Sequence, residues 1–101
     1  MKIVTWNVNS LKVRLALLLQ WLEANPVDVL CIQETKLTDD KFPLAELNAA
    51  GYHVAFSGQK TYNGVAILSK LPIEDVVRNN PHCEDAQQRL LAATIGGVRF
   101  I

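Results

Sequence analysis

Cysteine is scarce: Cys31 and Cys83 are the only two in 101 residues. A secreted domain this small would be expected to carry more bridges, so a disulfide scaffold is set aside and a reducing cytoplasm is expected. Charge of one sign is also missing. Ten basic and ten acidic residues give a formal net charge of zero. That argues against a sequence-independent cationic DNA clamp, although a local phosphate site needs only a few placed cations. No apolar run reaches the ~20 residues of a membrane span, and residues 1–7 lack the apolar region of a signal peptide, so no membrane partner is expected. Phosphate-loop, dinucleotide-fingerprint, Cys-x-x-Cys and His-Glu-x-x-His motifs are all absent. His53 lies in an expected strand and His82 beside a proline, with no nucleophile set against either, which leaves a serine or cysteine triad without support.

What is present is globular: half the residues are apolar and a fifth are charged. Residues 3–8 are β-branched and aromatic without clean alternation, as in a central strand covered on both faces. Ser10 is placed to cap a helix in which Leu11, Leu15, Leu18 and Leu22 fall at helical spacing, and Asn25-Pro26 stops it. Residues 27–33 form a second apolar run, within which Cys31 reads as a buried small hydrophobe. Strand, helix and strand of these lengths make a βαβ unit with parallel strands and a right-handed crossover. Residues 42–50 read as a short helix with Pro43 in its first turn and Gly51 as its stop. Strands are expected at 52–56 and 65–69, joined by a polar loop ending in Asn63-Gly64, with a possible short strand at 73–77. Residues 79–88 read as an acidic, polar loop, and 90–95 and 98–101 flank Gly96-Gly97 as a hairpin.

Both strands of a βαβ unit end at one edge of the sheet, where open α/β folds bind ligands. The residues there are Asn7-Val8-Asn9 and Gln33-Glu34-Thr35-Lys36. Glu34 is the sharpest candidate, a hard oxygen ligand for Mg²⁺ or Mn²⁺; Mg²⁺ needs only one or two protein carboxylates and completes its shell with water and phosphate. The bland alternative is a solvated loop carboxylate or one paired with Lys36, and partial burial would favour function. Asn7 can orient a water, a carboxylate or a metal ligand, or simply make a turn. Lys36 can neutralise a phosphate or stay solvated. Tyr62 can contact a sugar or phosphate, or cover the sheet edge, and for Arg89 an ion pair with Glu84 or Asp85 is the simpler reading.

Taken together, the segments 5–9 (Thr-Trp-Asn-Val-Asn), 33–36 (Gln-Glu-Thr-Lys), 51–52, 62–70 (Tyr-Asn-Gly-Val-Ala-Ile-Leu-Ser-Lys) and 88–89 (Gln-Arg) resemble, in order and spacing, the exonuclease III-type apurinic/apyrimidinic endonucleases of the endonuclease/exonuclease/phosphatase superfamily. The resemblance implies part of a two-sheet α/β sandwich of the deoxyribonuclease I-like kind, with a mixed sheet opening on the βαβ unit. It implies a DNA-repair nuclease, Mg²⁺-dependent with Mn²⁺ as a possible substitute, hydrolysing phosphodiesters 5′ to abasic sites and from 3′ ends. Its partner would be double-stranded DNA with abasic or 3′-blocked sites, and the full-length protein would be a cytoplasmic monomer. Asn7 and Glu34 would belong to the metal site, with Lys36 a supporting cation and Tyr62 and Arg89 facing DNA. Ser10 stands where the family usually has glycine.

The family's catalytic Tyr, Asp-x-Asn pair and terminal Asp-His pair would all lie beyond residue 101. Residues 1–101 are therefore expected to be the N-terminal portion of the domain, with the remainder absent, an apolar sheet face left open, and the piece alone inactive and poorly soluble. The alternatives are a superfamily phosphatase or phosphodiesterase acting on a non-DNA phosphoester, and a non-catalytic truncated binding module.

Overall fold

A computed structural model describes residues 1–58, 63–78 and 91–101. The chain runs β1 (Ile3–Asn7), α1 (Leu11–Ala24), β2 (Val29–Gln33), a 3₁₀ turn (Asp39–Lys41), α2 (Leu44–Ala49), β3 (His53–Ser57), β4 (Val65–Ser69), β5 (Ile73–Arg78), β6 (Leu91–Ile95) and β7 (Val98–Phe100). Four strands form a mixed sheet in the order β1-β2-β4-β3, and three form an antiparallel sheet in the order β5-β6-β7. β1 and β2 are parallel, with Ile3 opposite Val29 and Asn7 opposite Gln33. This is the expected α/β fold with its βαβ opening.

The two-residue side-chain period of strands divides the mixed sheet cleanly between two cores. Leu30 and Ile32 of β2 and Ala66 and Leu68 of β4 face one side, where Leu11, Leu18 and Leu22 of α1 and Leu47 of α2 close over them. Val29, Ala55 and Ile67 face the other side and meet Leu91, Ala93, Ile95 and Phe100 of the second sheet. Phe42 and Phe56 stack with ring centroids 4.2 Å apart, anchoring the approach to α2 on β3.

Within residues 1–101, β1 lies at the edge of the mixed sheet, with Val4 and Trp6 packed inward and Ile3 50% exposed. Several local expectations are corrected. Cys31 is half-buried, because its side chain points between the sheets near a cavity of about 120 Å³. Ser10 occupies the N-cap position of α1 but its hydroxyl makes no cap hydrogen bond; its backbone sits at φ 87°, ψ 103°, outside the extended region that a capping residue adopts. Leu15 is only partly buried. Pro43 precedes the first turn of α2 instead of lying inside it.

Two helix and hairpin signals are realised as read. Tyr52 N–H donates to Leu47 C=O at 3.2 Å and Gly51 N–H to Asn48 C=O at 3.0 Å, the paired bonds of a Schellman stop. Ile95 pairs with Val98 across Gly96-Gly97, and both glycines have positive φ, as a two-residue turn matching strand twist requires.

Candidate functional site

The parallel pairing of β1 and β2 sets Asn7 beside Gln33, so the chain leaves both strands at the same edge. Backbone hydrogen bonds then lace the two exits together. Val8 N–H donates to Gln33 C=O at 3.0 Å, Ser10 N–H to Glu34 C=O at 2.8 Å and Leu11 N–H to Thr35 C=O at 2.9 Å. From the other side, Thr35 N–H donates to Gly64 C=O at 3.1 Å and Lys36 N–H to Asn63 C=O at 2.9 Å. Three segments thus meet at residues 34–36.

The side chains converge accordingly. The Asn7 amide nitrogen donates to the Glu34 carboxylate. Asn9 N–H donates to Asn7 Oδ1 at 3.1 Å, which fixes which end of the Asn7 amide faces Glu34 and leaves one lone pair on its oxygen. Lys36 Nζ donates to Asn9 Oδ1 at 2.6 Å and lies 3.8 Å from Glu34 Oε1. The side chain of Glu34 is 41% exposed and that of Lys36 is 28% exposed. Glu34 is therefore partly buried and also paired with Lys36. An ion pair this open is worth about 1 kcal/mol or less, too little to explain the arrangement by stability.

Backbone strain points the same way. Among the described residues, six other than glycine have positive φ, and five of them surround this site: Asn9 (45°), Ser10 (87°), Glu34 (55°), Lys36 (57°) and Asn63 (53°). Each such residue costs on the order of 1 kcal/mol or more, and strain of this kind gathers at functional sites. Thr35, between two of them, is fully buried, and its hydroxyl has no hydrogen-bond partner. An unmet buried hydroxyl costs about 1–3 kcal/mol.

The donor set suits a hard divalent cation in part. Glu34 offers carboxylate oxygens, Asn7 offers an amide oxygen, and a partly open position leaves room for water or phosphate. No group of three or more His, Cys, Asp or Glu side chains suited to a metal occurs among the described residues.

Of the residues expected from sequence, Asn7, Glu34 and Lys36 are brought together, while Tyr62 and Arg89 lie outside the described residues, as do His82, Cys83 and the 79–88 loop. Sequence reasoning gave no separate role to Asn9, which binds both Asn7 and Lys36, or to Thr35, which is buried between Glu34 and Lys36; Asn63-Gly64 was read as a turn and as part of the segment 62–70.

The chain belongs to the Endonuclease/Exonuclease/phosphatase family, whose pattern it matches over residues 4–100. Its curated relatives include Exodeoxyribonuclease III of Haemophilus influenzae, 38% identical over 96 residues that make up 94% of this chain and 36% of that protein. Among solved structures it is similar to a 3′ phosphatase from Neisseria bound to product DNA hairpin. The identity there is 54% and the TM-score 0.94, covering 98% of this chain and 39% of the other. It is also similar to an AP endonuclease from Archaeoglobus fulgidus, with 45% identity and a TM-score of 0.93, covering 98% of this chain and 38% of that one. The chain thus spans well under half the length of these relatives. No helix among the described residues is long and apolar enough to cross a membrane.

Proposed function

We propose that residues 1–101 form the N-terminal portion of a divalent-metal-dependent DNA-repair nuclease of the exodeoxyribonuclease III and AP endonuclease type. Its reaction is hydrolysis of phosphodiesters 5′ to abasic sites and from 3′ ends of double-stranded DNA. The observation that carries the reading is the meeting of Asn7, Glu34 and Lys36 at the ends of two parallel strands. The names of the relatives, a DNA exonuclease, a 3′ phosphatase bound to DNA and an AP endonuclease, support the substrate class.

In this reading Glu34 holds Mg²⁺, or Mn²⁺ in its place, and Asn7 keeps the carboxylate oriented through its amide. The bound cation supplies Lewis-acid polarisation of a phosphoryl oxygen. Lys36, held by Asn9, places a point charge where it neutralises a phosphate oxygen. Tyr62 and Arg89 are assigned to the DNA-facing side on the family resemblance. We place the protein in the cytoplasm as a monomer, with the unpaired Cys31 in keeping with a reducing compartment.

The test uses a duplex carrying one abasic-site analogue and the full-length protein that contains residues 1–101. Incision 5′ to the lesion is expected with Mg²⁺ and not with EDTA. Glu34→Gln should lower it on the order of 100-fold or more, at least the upper end of what losing a ligand's supporting partners costs. The 101-residue chain, which spans 36% of its Haemophilus influenzae relative, should not nick by itself. Preferred hydrolysis of an inositol phosphate would move the assignment to a phosphatase branch. A Glu34→Ala protein that behaves like wild type would point to a non-catalytic binding module.

A further inference from the structure

Thr35 is fully buried between Glu34 and Lys36, and every hydrogen bond around it runs through its backbone. Its N–H meets Gly64 C=O and its C=O meets Leu11 N–H, while its hydroxyl meets nothing. What the hydroxyl faces instead is the space that a Cβ at position 64 would fill. A Cβ at position 64 would stand 2.1 Å from Thr35 Oγ1, with Lys36 N at 3.2 Å and Thr35 Cβ at 3.4 Å. Gly64 itself has φ 85°. The two chains therefore approach as closely as a glycine facing a β-branched residue allows.

The residues on either side of this contact, Glu34 and Lys36, are the two charged groups of the site, and both are in left-handed backbone. Neither has an intrinsic reason to adopt it, since long side chains visit that region rarely. A pivot locked between them supplies the reason. With Thr35 wedged inward and clamped from both sides, Glu34 and Lys36 are turned outward on the same side, toward Asn7 and Asn9.

We propose that Thr35 and Gly64 are positioning residues: their interlocked contact holds Glu34 and Lys36 in left-handed backbone and so sets where the carboxylate and the ammonium stand relative to each other. The volume of the Thr35 side chain, Oγ1 included, does the work, not hydrogen bonding by its hydroxyl. The consequence for cation binding rests on the reading of Glu34 given above, whereas the consequence for the backbone does not.

The experiment is therefore an NMR comparison of the full-length protein that contains residues 1–101 with its Thr35→Val, Thr35→Ala and Gly64→Ala variants and with the Thr35→Ala/Gly64→Ala double variant. Three-bond HN–Hα couplings and ¹³Cα shifts at Glu34 and Lys36 report the sign of φ without any metal. Titration with Mn²⁺ alone, read by paramagnetic broadening at Asn7, Glu34 and Lys36, reports the site. Thr35→Val, which keeps the shape and removes the orphan hydroxyl, should preserve the backbone signals, hold Mn²⁺ affinity within about twofold and raise the melting temperature. Thr35→Ala should shift the Glu34 and Lys36 signals and weaken Mn²⁺ about tenfold, the scale of losing a ligand's support. Gly64→Ala should do the same, and the double variant should recover part of the loss, because removing the hydroxyl makes room for the new Cβ.

Unchanged Glu34 and Lys36 signals in Thr35→Ala would overturn the proposal, as would a double variant no better than Gly64→Ala. If Gly64→Ala fails to fold, the two Thr35 variants still decide it. Wild-type chain that shows no localised broadening would count against the metal reading alone, and the φ measurements would still judge the pivot.

Discussion

At the scale of single residues, the site is built from backbone that most side chains avoid, and Ser10 shows the cost. It holds the N-cap position of α1 with a positive φ and without a cap hydrogen bond. A serine that truly caps a helix loses about 1 kcal/mol on replacement by alanine. Here no such bond exists, so Ser10→Ala should move the urea midpoint little. Ser10→Gly relieves a conformation costing on the order of 1–2 kcal/mol, offset by about 0.4–1 kcal/mol of added freedom in the unfolded chain. A net gain of several tenths of a kcal/mol is expected, and a lower midpoint for the glycine variant would show that the strain is illusory. Glu34, Lys36 and Asn63 gain no such relief, because their side chains or neighbours are needed where they stand. The residue types of the site were legible in the sequence: a carboxylate and an amide at strand ends announce themselves. The left-handed backbone and the orphan hydroxyl of Thr35 were not, because no local pattern encodes a conformation imposed by three converging segments.

At the scale of elements, most of the fold was readable because period and punctuation agree. The run at 65–69 became β4 without change, and Gly51 and Gly96-Gly97 stop and turn the chain where expected. For β1, Ile3, Val4, Thr5 and Trp6 are all good strand residues, so composition shows a strand and leaves its neighbours on either side open. In α1 the pattern Leu11, Leu15, Leu18, Leu22 named the right stripe, though Leu17 and Leu19 blur it. Leu18 is fully buried, whereas Leu17 is 54% exposed. Leu18→Ala is expected to cost about 3–5 kcal/mol, since it leaves a hole between α1 and the sheet, while Leu17→Ala should cost under about 1 kcal/mol. Equal losses in denaturant titrations would mean that α1 is rotated from this placement. Trp21, whose ring lies 6.4 Å from that of Trp6, offers a fluorescence reading of the same docking.

At the scale of the whole molecule, each of the two cores holds one group whose charge the fold resists. Cys31 points between the sheets, and burial pushes its thiol above the ordinary range. Tyr52 lies in the helix-side core, its O–H donating to Val27 C=O at 3.4 Å. Burial raises its phenol, and the nearby Asp28 carboxylate pushes it the same way. For both groups the unfolded chain releases its proton first as pH rises. Between the unfolded and folded values the native state binds more protons, so unfolding becomes easier with every step of pH in that window. Stability from these groups is complete below the ordinary thiol and phenol ranges, about pH 8.5 and 10, and is lost as pH climbs through the raised values. Urea midpoints taken from neutral pH upward should therefore decline in two stages. Cys31→Val should remove the first and Tyr52→Phe the second, the latter with a lower neutral midpoint because its hydrogen bond is gone. A wild-type profile that stays flat through both ranges would mean that neither core excludes water as tightly as this packing requires.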